Sequence, residues 1–547
     1  MGVALKNPLL PGFYPDPSIC RVDDDFYMVA SSFSYFPGVP IFHSRDLAHW
    51  EQIGHVLDRP GQLSLGPFEV SGGIFAPTIR WHDGLFYVIT TNASGRGNFI
   101  VTAERPEGPW SDPHWLEEAE GIDPSLFWDE DGAAYYIGTS EAKPENGGRP
   151  MIWISEIDLD KFCLKGEKTY LWSGSLAEPA WPEAPHLYKV NGYYYLMIAE
   201  GGTEHFHSES IARAESIRGP YHSYMGNPIL TQRHLGMKAP VASTGHGDLV
   251  ELKDGTWYMV FLASRPYGGY HKNLGRETFI APVEWEAGWP VVSPGNGSIQ
   301  FTYEGPDLPE FVTEPAPEKD DFEGDKLSFV WNFLGTPDAD TVRLENGFLK
   351  IRLDEKPIGK GLMEYAPAAL RPASPGSIGF VGRRQQHKSF TAAARLCFIP
   401  EEKQTAGMVI LQNRHQQIRL ELGRNAAGDM VIRALKGYHS LEMSLVSKKK
   451  TDPRIFYEEC LGEVPWDEGE AILIMEAEEQ KITLSAENGE GERIRIASCD
   501  GGFLGSETAG GYVGAYIGMF ASGNGISSDE YASFDWFSYT PAGGETA

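Results

Sequence analysis

Positive charge is scarce in this chain: 46 Lys and Arg stand against 76 Asp and Glu, a formal net charge of −30 over 547 residues. Such a surface repels phosphate backbones and anionic lipid, so no nucleic acid and no membrane is expected as a partner. Long apolar runs are missing too, and none approaches the ~20 residues a bilayer-spanning helix needs. The opening MGVALKNPLL lacks a basic stretch followed by a sustained apolar one, so no secretory leader is read there. Cysteine is sparse: Cys20, Cys163, Cys397, Cys460 and Cys499 are far apart and form no CxxC. That usage argues against a disulfide scaffold or zinc site and for reduced thiols in a cytoplasmic protein. No long amphipathic helical pattern is found, which leaves an all-β chain of two or three domains.

What is present is a repeat. DDDFYMVASS, HDGLFYVITT, EDGAAYYIGT, VNGYYYLMIA and KDGTWYMVFL each join a polar turn, an aromatic pair and an apolar strand. Their second aromatics, Tyr27, Tyr87, Tyr136, Tyr195 and Tyr258, recur about every 50 to 63 residues. Upstream of each lies a second short motif: DPSI, APTI, DPSL, EAPHL and GHGDL. Five hairpins in order, each followed by further short strands, predict a five-bladed β-propeller over residues 1–303. An acid- and proline-rich linker follows at 304–319. From 320 to 547, period-two alternation with glycine-rich turns predicts a β-sandwich of jelly-roll, concanavalin-like type.

In a propeller the first strand of each blade lines the central channel. Asp16, Asp123 and Glu183, heading blades one, three and four, are therefore expected in one axial cavity, with His246 from blade five. A lone Asp-Pro-Ser is more often a turn whose carboxyl bonds its own backbone, but two copies and a Glu at equivalent places favour a shared pocket. One carboxylic acid and one carboxylate across a sugar-sized gap can hydrolyse a glycosidic bond, and a third carboxylate can raise a neighbour's pKa. A calcium cage would need more clustered oxygen ligands than the sequence offers.

The chain resembles glycoside hydrolase family 43, in particular its two-domain β-xylosidases and α-L-arabinofuranosidases. The resemblance rests on NPLLPGFYPDPSICRVDDDFYMVASSFSYFPGVPIFHSRDLAHW, GIDPSLFWDEDG, EAPHLYKVNGYYYLMIAEGG, LGRET and DDFEGDKLSFVWNFLG. It implies Asp16 as general base, Asp123 as pKa modulator and orienter, and Glu183 as general acid. It also implies an inverting reaction, whose base and acid stand roughly 6.5–9.5 Å apart. By the same resemblance Arg276 binds sugar hydroxyls, Phe33 lines the terminal-sugar pocket, and His246 lies near a water-coordinated calcium ion. Many of the family's β-xylosidases carry Trp where this chain has Phe75, which favours acceptance of arabinofuranose. His205 and His207 are read as a polar pocket rim rather than a metal pair.

The expected activity is exo-acting release of terminal α-L-arabinofuranosyl or β-D-xylosyl units from small arabinoxylo- and xylo-oligosaccharides. No cofactor is required for that chemistry. Exo action follows if the sandwich or the blade loops close one end of the channel. The rival reading is a non-catalytic carbohydrate-binding propeller; fructosidase and sialidase readings fail for want of their motifs. The oligomeric state, a homo-oligomer included, stays open.

Overall fold

In a computed structural model the described residues are 2–66, 70–176, 181–314, 316–359, 377–439 and 456–542. Nearly all regular structure in them is strand, and the helix Ser506–Ala509 is a single turn. No helix among the described residues is long and apolar enough to cross a membrane.

The five hairpin repeats become five antiparallel sheets. Their first two strands are Ser18–Val22 with Asp25–Val29, Thr78–His82 with Leu85–Asn92, Ser125–Trp128 with Ala134–Ser140, Glu183–Val190 with Tyr193–Glu200, and Ala242–Glu251 with Trp257–Ser264. The turn residues explain the tightness of the hairpins. Asp83-Gly84 and Asn191-Gly192 hold φ of 47° and 81°, and of 49° and 82°, which suits the right-handed twist of the flanking strands. The repeated tyrosines pack between blades; Tyr136, fully buried, accepts a hydrogen bond from Asn98 of blade two. The ring closes where Leu5–Lys6 pairs with Thr302–Tyr303. The Asn7 side chain adds bonds to the carbonyls of Ile280 and Gln300.

A second closure runs around the axis through the innermost strands. The Ile79 amide donates to Ser18 Oγ, Thr78 Oγ1 to the Pro124 carbonyl, and Ser125 Oγ to the Pro185 carbonyl. Tyr188 Oη donates to Asp248 Oδ1, and Ser18 Oγ to Asp248 Oδ2, returning the ring to blade one. Arg80 meets Asp248 in a two-pronged pair, at 2.8 and 3.1 Å, and also reaches His186 Nδ1 at 2.9 Å. Asp248 is wholly buried, so this pair works in low dielectric.

The last propeller pairing lies at Thr302–Tyr303, and the first sandwich pairing joins Lys319–Asp320 to Phe537–Ser538. Among the described residues the sandwich consists of two sheets, one of eight strands and one of seven, around an apolar core. One sheet runs past its own edge: Leu334 and Phe333 pair with Tyr35 and Phe36 of the propeller. Tyr35 stacks on Tyr516 with centroids 3.7 Å apart, and Arg384 lies 4.1 Å over the Tyr14 ring while donating to the Phe13 carbonyl. The two domains thus share core and sheet, and Phe33 belongs to that shared core.

Removing one partner of the axial ion pair strands the other without compensation. Arg80→Met is expected to cost about 3–5 kcal/mol, seen as an early propeller transition in denaturant, and Arg80→Met with Asp248→Leu to recover much of it. A single variant as stable as the wild type would show that the pair holds nothing together.

Candidate active site

Each candidate acid sits at the same place in its blade. Asp16 and Asp123 precede their innermost strands by two residues, and Glu183 begins its own. The backbone there is unusual: Asp16, Asp123 and His246 have φ of 56°, 52° and 52°, and Ala184, beside Glu183, has 50°. Left-handed backbone costs energy in non-glycine residues and persists only where the surroundings enforce it. Here the axial ring does so, since its Ser18, Pro124, Ser125 and Pro185 adjoin the acids.

The acids do not bond their own turns; they meet in one cavity of about 640 Å³. Asp16, Asp123, Glu183, His246, Arg276, Phe33 and Phe75, all expected from the sequence, line it together. Asp16 Oδ1 accepts from Arg276 Nη1 at 2.8 Å, Asp16 Oδ2 from Ser31 Oγ at 2.6 Å, and His246 Nδ1 lies 3.5 Å away. The neighbouring Glu277 is held by Arg265, so Arg276 serves the cavity rather than an ordinary surface pair. Its guanidinium also lies 5.5 Å over the Phe33 ring, and Phe33 contacts Phe75 at 5.2 Å between centroids. These rings make an apolar wall beside the acids.

Electrostatics separate the three carboxyls. Burial works to raise the pKa of Asp16, but Arg276, His246, the Ser31 hydroxyl and His207 outweigh it and hold the group below the ordinary aspartate value. Burial first, and the Asp16 charge second, push Glu183 up to about 7. Asp123 is raised well above its ordinary value by burial, then by Glu183 and Asp16, against a hydrogen bond from the Ala184 amide. Burial and the Asp16 anion both favour the protonated form of Glu183, and burial favours the protonated form of Asp123, which is bonded to the backbone next to Glu183.

Several contributors were not found in the sequence. Asp248 stands in the quoted GHGDL two residues after His246, yet its partner Arg80 follows an acid-free APTI copy. Trp181, Thr203 and Phe206 of blade four also line the cavity, beside His207, which was expected at its rim. So does Tyr512 of the sandwich, whose carbonyl accepts from Arg276 Nε and Nη2 at 3.3 and 3.1 Å. No periodicity in the sequence marks that turn. His205 and His207 have separate partners: the first contacts Phe206 and Tyr270, and the buried second bonds the Ser243 carbonyl.

The surroundings of His246 do not fit a protein-ligated calcium ion. Its neighbours Ser243 and Thr244 have unpartnered buried hydroxyls and Glu209 an unpartnered Oε1, but Asp16 is engaged with Arg276, Asp248 with Arg80, and burial raises the pKa of Glu209 well above its ordinary value. Among the described residues no group of three or more His, Cys, Asp or Glu could hold a metal.

Comparison with known proteins agrees with this fold. The profile of Glycosyl hydrolases family 43 matches residues 5–290. The chain belongs to glycosyl hydrolase family 43. The profile of the beta xylosidase C-terminal Concanavalin A-like domain matches residues 319–540. A xylosidase/arabinosidase of Butyrivibrio fibrisolvens is 42% identical over 98% of this chain and 99% of its own. A non-reducing end alpha-L-arabinofuranosidase of Bacteroides ovatus is 38% identical over 98% and 94%. Among solved structures, a xylan beta-1,4-xylosidase from Bacillus halodurans superposes with a TM-score of 0.86 at 33% identity, covering 98% of this chain and all of that one. The protein is a glycoside hydrolase of propeller and concanavalin-like architecture, and its substrate is a carbohydrate.

Hydrolysis that needs Asp16 ionised and Glu183 protonated falls off above about pH 7. Arg276 lowers both pKa values, so Arg276→Ala is expected to shift both limbs of the kcat/KM profile to higher pH. An Arg276→Ala profile equal in shape to the wild type, merely lower, would refute this assignment of the charges.

Proposed function

We propose that the enzyme is an inverting exo-glycosidase that removes terminal α-L-arabinofuranosyl or β-D-xylosyl units from arabinoxylo- and xylo-oligosaccharides. The observation that carries this reading is the single arginine-held carboxylate, Asp16, sharing a cavity with two carboxyls biased toward their neutral forms.

Asp16, ionised, takes a proton from a water that attacks the anomeric carbon. Glu183, protonated, gives its proton to the leaving glycosidic oxygen on the opposite face, and the configuration inverts. Asp123, through the Ala184 amide, fixes the backbone beside Glu183 and so acts as a positioning residue. Arg276 holds the Asp16 anion and faces the cavity, where its donors suit ring hydroxyls as charge develops in the transition state. No step uses a cofactor.

Exo action is favoured by the turn carrying Tyr512, which borders the cavity and is tied to the propeller through Ser71 and Arg276. Acceptance of both pentoses is supported by relatives named for both activities and by Phe75, smaller than the Trp common in β-xylosidases. A one-ring difference in an apolar wall shifts preference by only about 1–3 kcal/mol.

The test is hydrolysis of arabinofuranosyl and xylosyl oligosaccharides followed by NMR. The sugar first released should have the anomeric configuration opposite to the bond broken. Asp16→Asn and Glu183→Gln should each lower kcat by about 10²–10⁴-fold. Retained configuration, or variants with wild-type rates, would overturn the roles of the two residues.

A further inference from the structure

The innermost strand of blade five, Ala242–Glu251, does not keep step with its neighbour. Ala242, Gly245 and Asp248 face Ser264, Leu262 and Val260, so two extra residues are bulged out between them. Ser243 and His246, at φ of 57° and 52°, carry the left-handed backbone of this bulge. The bulge aims His246 into the acid-lined cavity, its Nδ1 3.5 Å from Asp16 Oδ1. His246 and Gly247 then have no partner residue in the neighbouring strand, and a buried amide without an acceptor is costly.

Blade four supplies the acceptor. On its third strand, Ser208–Ala214, the Glu209 side chain is wholly buried and reaches across to the bulge. Glu209 Oε2 accepts from the Gly247 amide at 3.1 Å, and the carboxyl also accepts from the His246 amide. Successive amides that converge on one acceptor fix the backbone between them. The Glu209 backbone is itself held on both sides, by pairing with Ala199 and by bonds to Ile229 and Leu230. His207, two residues earlier, closes the bulge at the cavity: its Nδ1 donates to the Ser243 carbonyl at 3.0 Å. A Cβ on Gly245 would come within 2.6 Å of His207 Cε1, so the strand and the ring fit closely.

The reaction derived above gives Glu209 no part. It touches neither Asp16 nor Glu183 in any hydrogen bond, and burial pushes its carboxyl toward the neutral form against the bond from Gly247. A buried carboxyl is a costly occupant of a blade interface unless something there needs its oxygen. Here the two bulge amides need it.

We propose that Glu209 is a positioning residue of the reaction: it holds the bulge of blade five and through it sets His246 against the general base Asp16. The requirement is for an acceptor oxygen rather than a charge, because a neutral carboxyl accepts through its carbonyl oxygen as a glutamine amide does. Once the bulge is released, the His246 ring leaves Asp16, whose carboxylate is left to Arg276 and Ser31. Asp16 then takes up its proton at higher pH. The other titratable groups around this pair, Arg276, His207, Glu200 and Asp248, stay in place. This inference rests on the proposed role of Asp16.

The experiment follows kcat and kcat/KM against pH on nitrophenyl α-L-arabinofuranoside and β-D-xyloside. In Glu209→Leu, kcat should fall by about 10–100-fold with KM changed less than about threefold, and the acid limb should rise by roughly one pH unit. Glu209→Asp, a methylene short of the amides, should move both in the same direction, and it decides the matter where the leucine variant fails to fold. Glu209→Gln should recover kcat to within about threefold of wild type and return the acid limb to its place. Beside His246→Ala, which raises the limb by itself, Glu209→Leu should add no further shift. Lower thermal stability with an unchanged acid limb, a full additional shift beside His246→Ala, or a glutamine variant as impaired as the leucine one would each overturn the proposal and leave the hydrolase standing. A wild-type enzyme that cleaves neither pentoside, or Asp16→Asn with the wild-type rate, would instead remove the functional reading beneath it.

Discussion

The Arg80–Asp248 pair is the constraint on which the site depends. Asp248 accepts from Arg80, Ser18, the Ile19 amide and Tyr188, so one carboxylate gathers blades one, two, four and five. Blade three joins through its neighbours, by Thr78 to Pro124 and Ser125 to Pro185. Each of these anchors is within a few residues of a cavity group: Ser18 of Asp16, Ser125 of Asp123, Pro185 of Glu183, and Asp248 of His246. A propeller without such an axis would let the blades slide relative to one another. Because the strand starts are fixed by buried, charge-assisted bonds, the carboxyls above them keep their mutual geometry.

The cavity solves an electrostatic difficulty by sharing it. Three anions in a buried space would repel one another strongly, and the surroundings favour the charged form of Asp16 and the neutral forms of Asp123 and Glu183. Arg276 makes Asp16 the favoured anion, and that anion, together with burial, holds the proton on Glu183. Burial lowers the pKa of His207 and His246, which leaves Arg276 as the permanent cation beside Asp16. The arrangement is internally balanced despite the formal charge of −30, which makes that charge a property of the wider surface rather than of the reacting groups.

The repeat explains how much of this was legible in advance. The tyrosine-bearing hairpins and their offset motifs carried the five blades, because strand periodicity and turn chemistry are local and recur. They also carried Asp16, Asp123 and Glu183, which sit at equivalent points of that repeat. Asp-Pro-Ser turned out to divide its labour: the acid faces the cavity, and the proline carbonyl or serine hydroxyl next to it bonds the adjacent blade. What stayed hidden is what the repeat does not encode. Arg80 replaces nothing in the motif and finds Asp248 across 168 residues of chain. Tyr512 reaches Arg276 across 236 residues from another domain, through a backbone carbonyl that any residue type could supply. The direction of the pKa coupling was hidden for a further reason, since desolvation depends on burial that no spacing reveals.

That carbonyl gives the sandwich domain a part in the chemistry without lending it a reacting group. Arg276 has two engagements besides Asp16: Thr203 of blade four and the Tyr512 carbonyl of the sandwich. An arginine side chain left on one partner can swing among several rotamers, whereas one fixed from three sides presents its charge in a single place. The turn that carries Tyr512 is in turn anchored by Glu507 to His271 and the Lys272 amide, and by Ser71 to blade two's approach. The shared sheet edge at Tyr35 and the stack on Tyr516 keep the domains from rocking at this point. The concanavalin-like domain is therefore a structural arm of the cavity: it fixes the cation that holds the Asp16 anion.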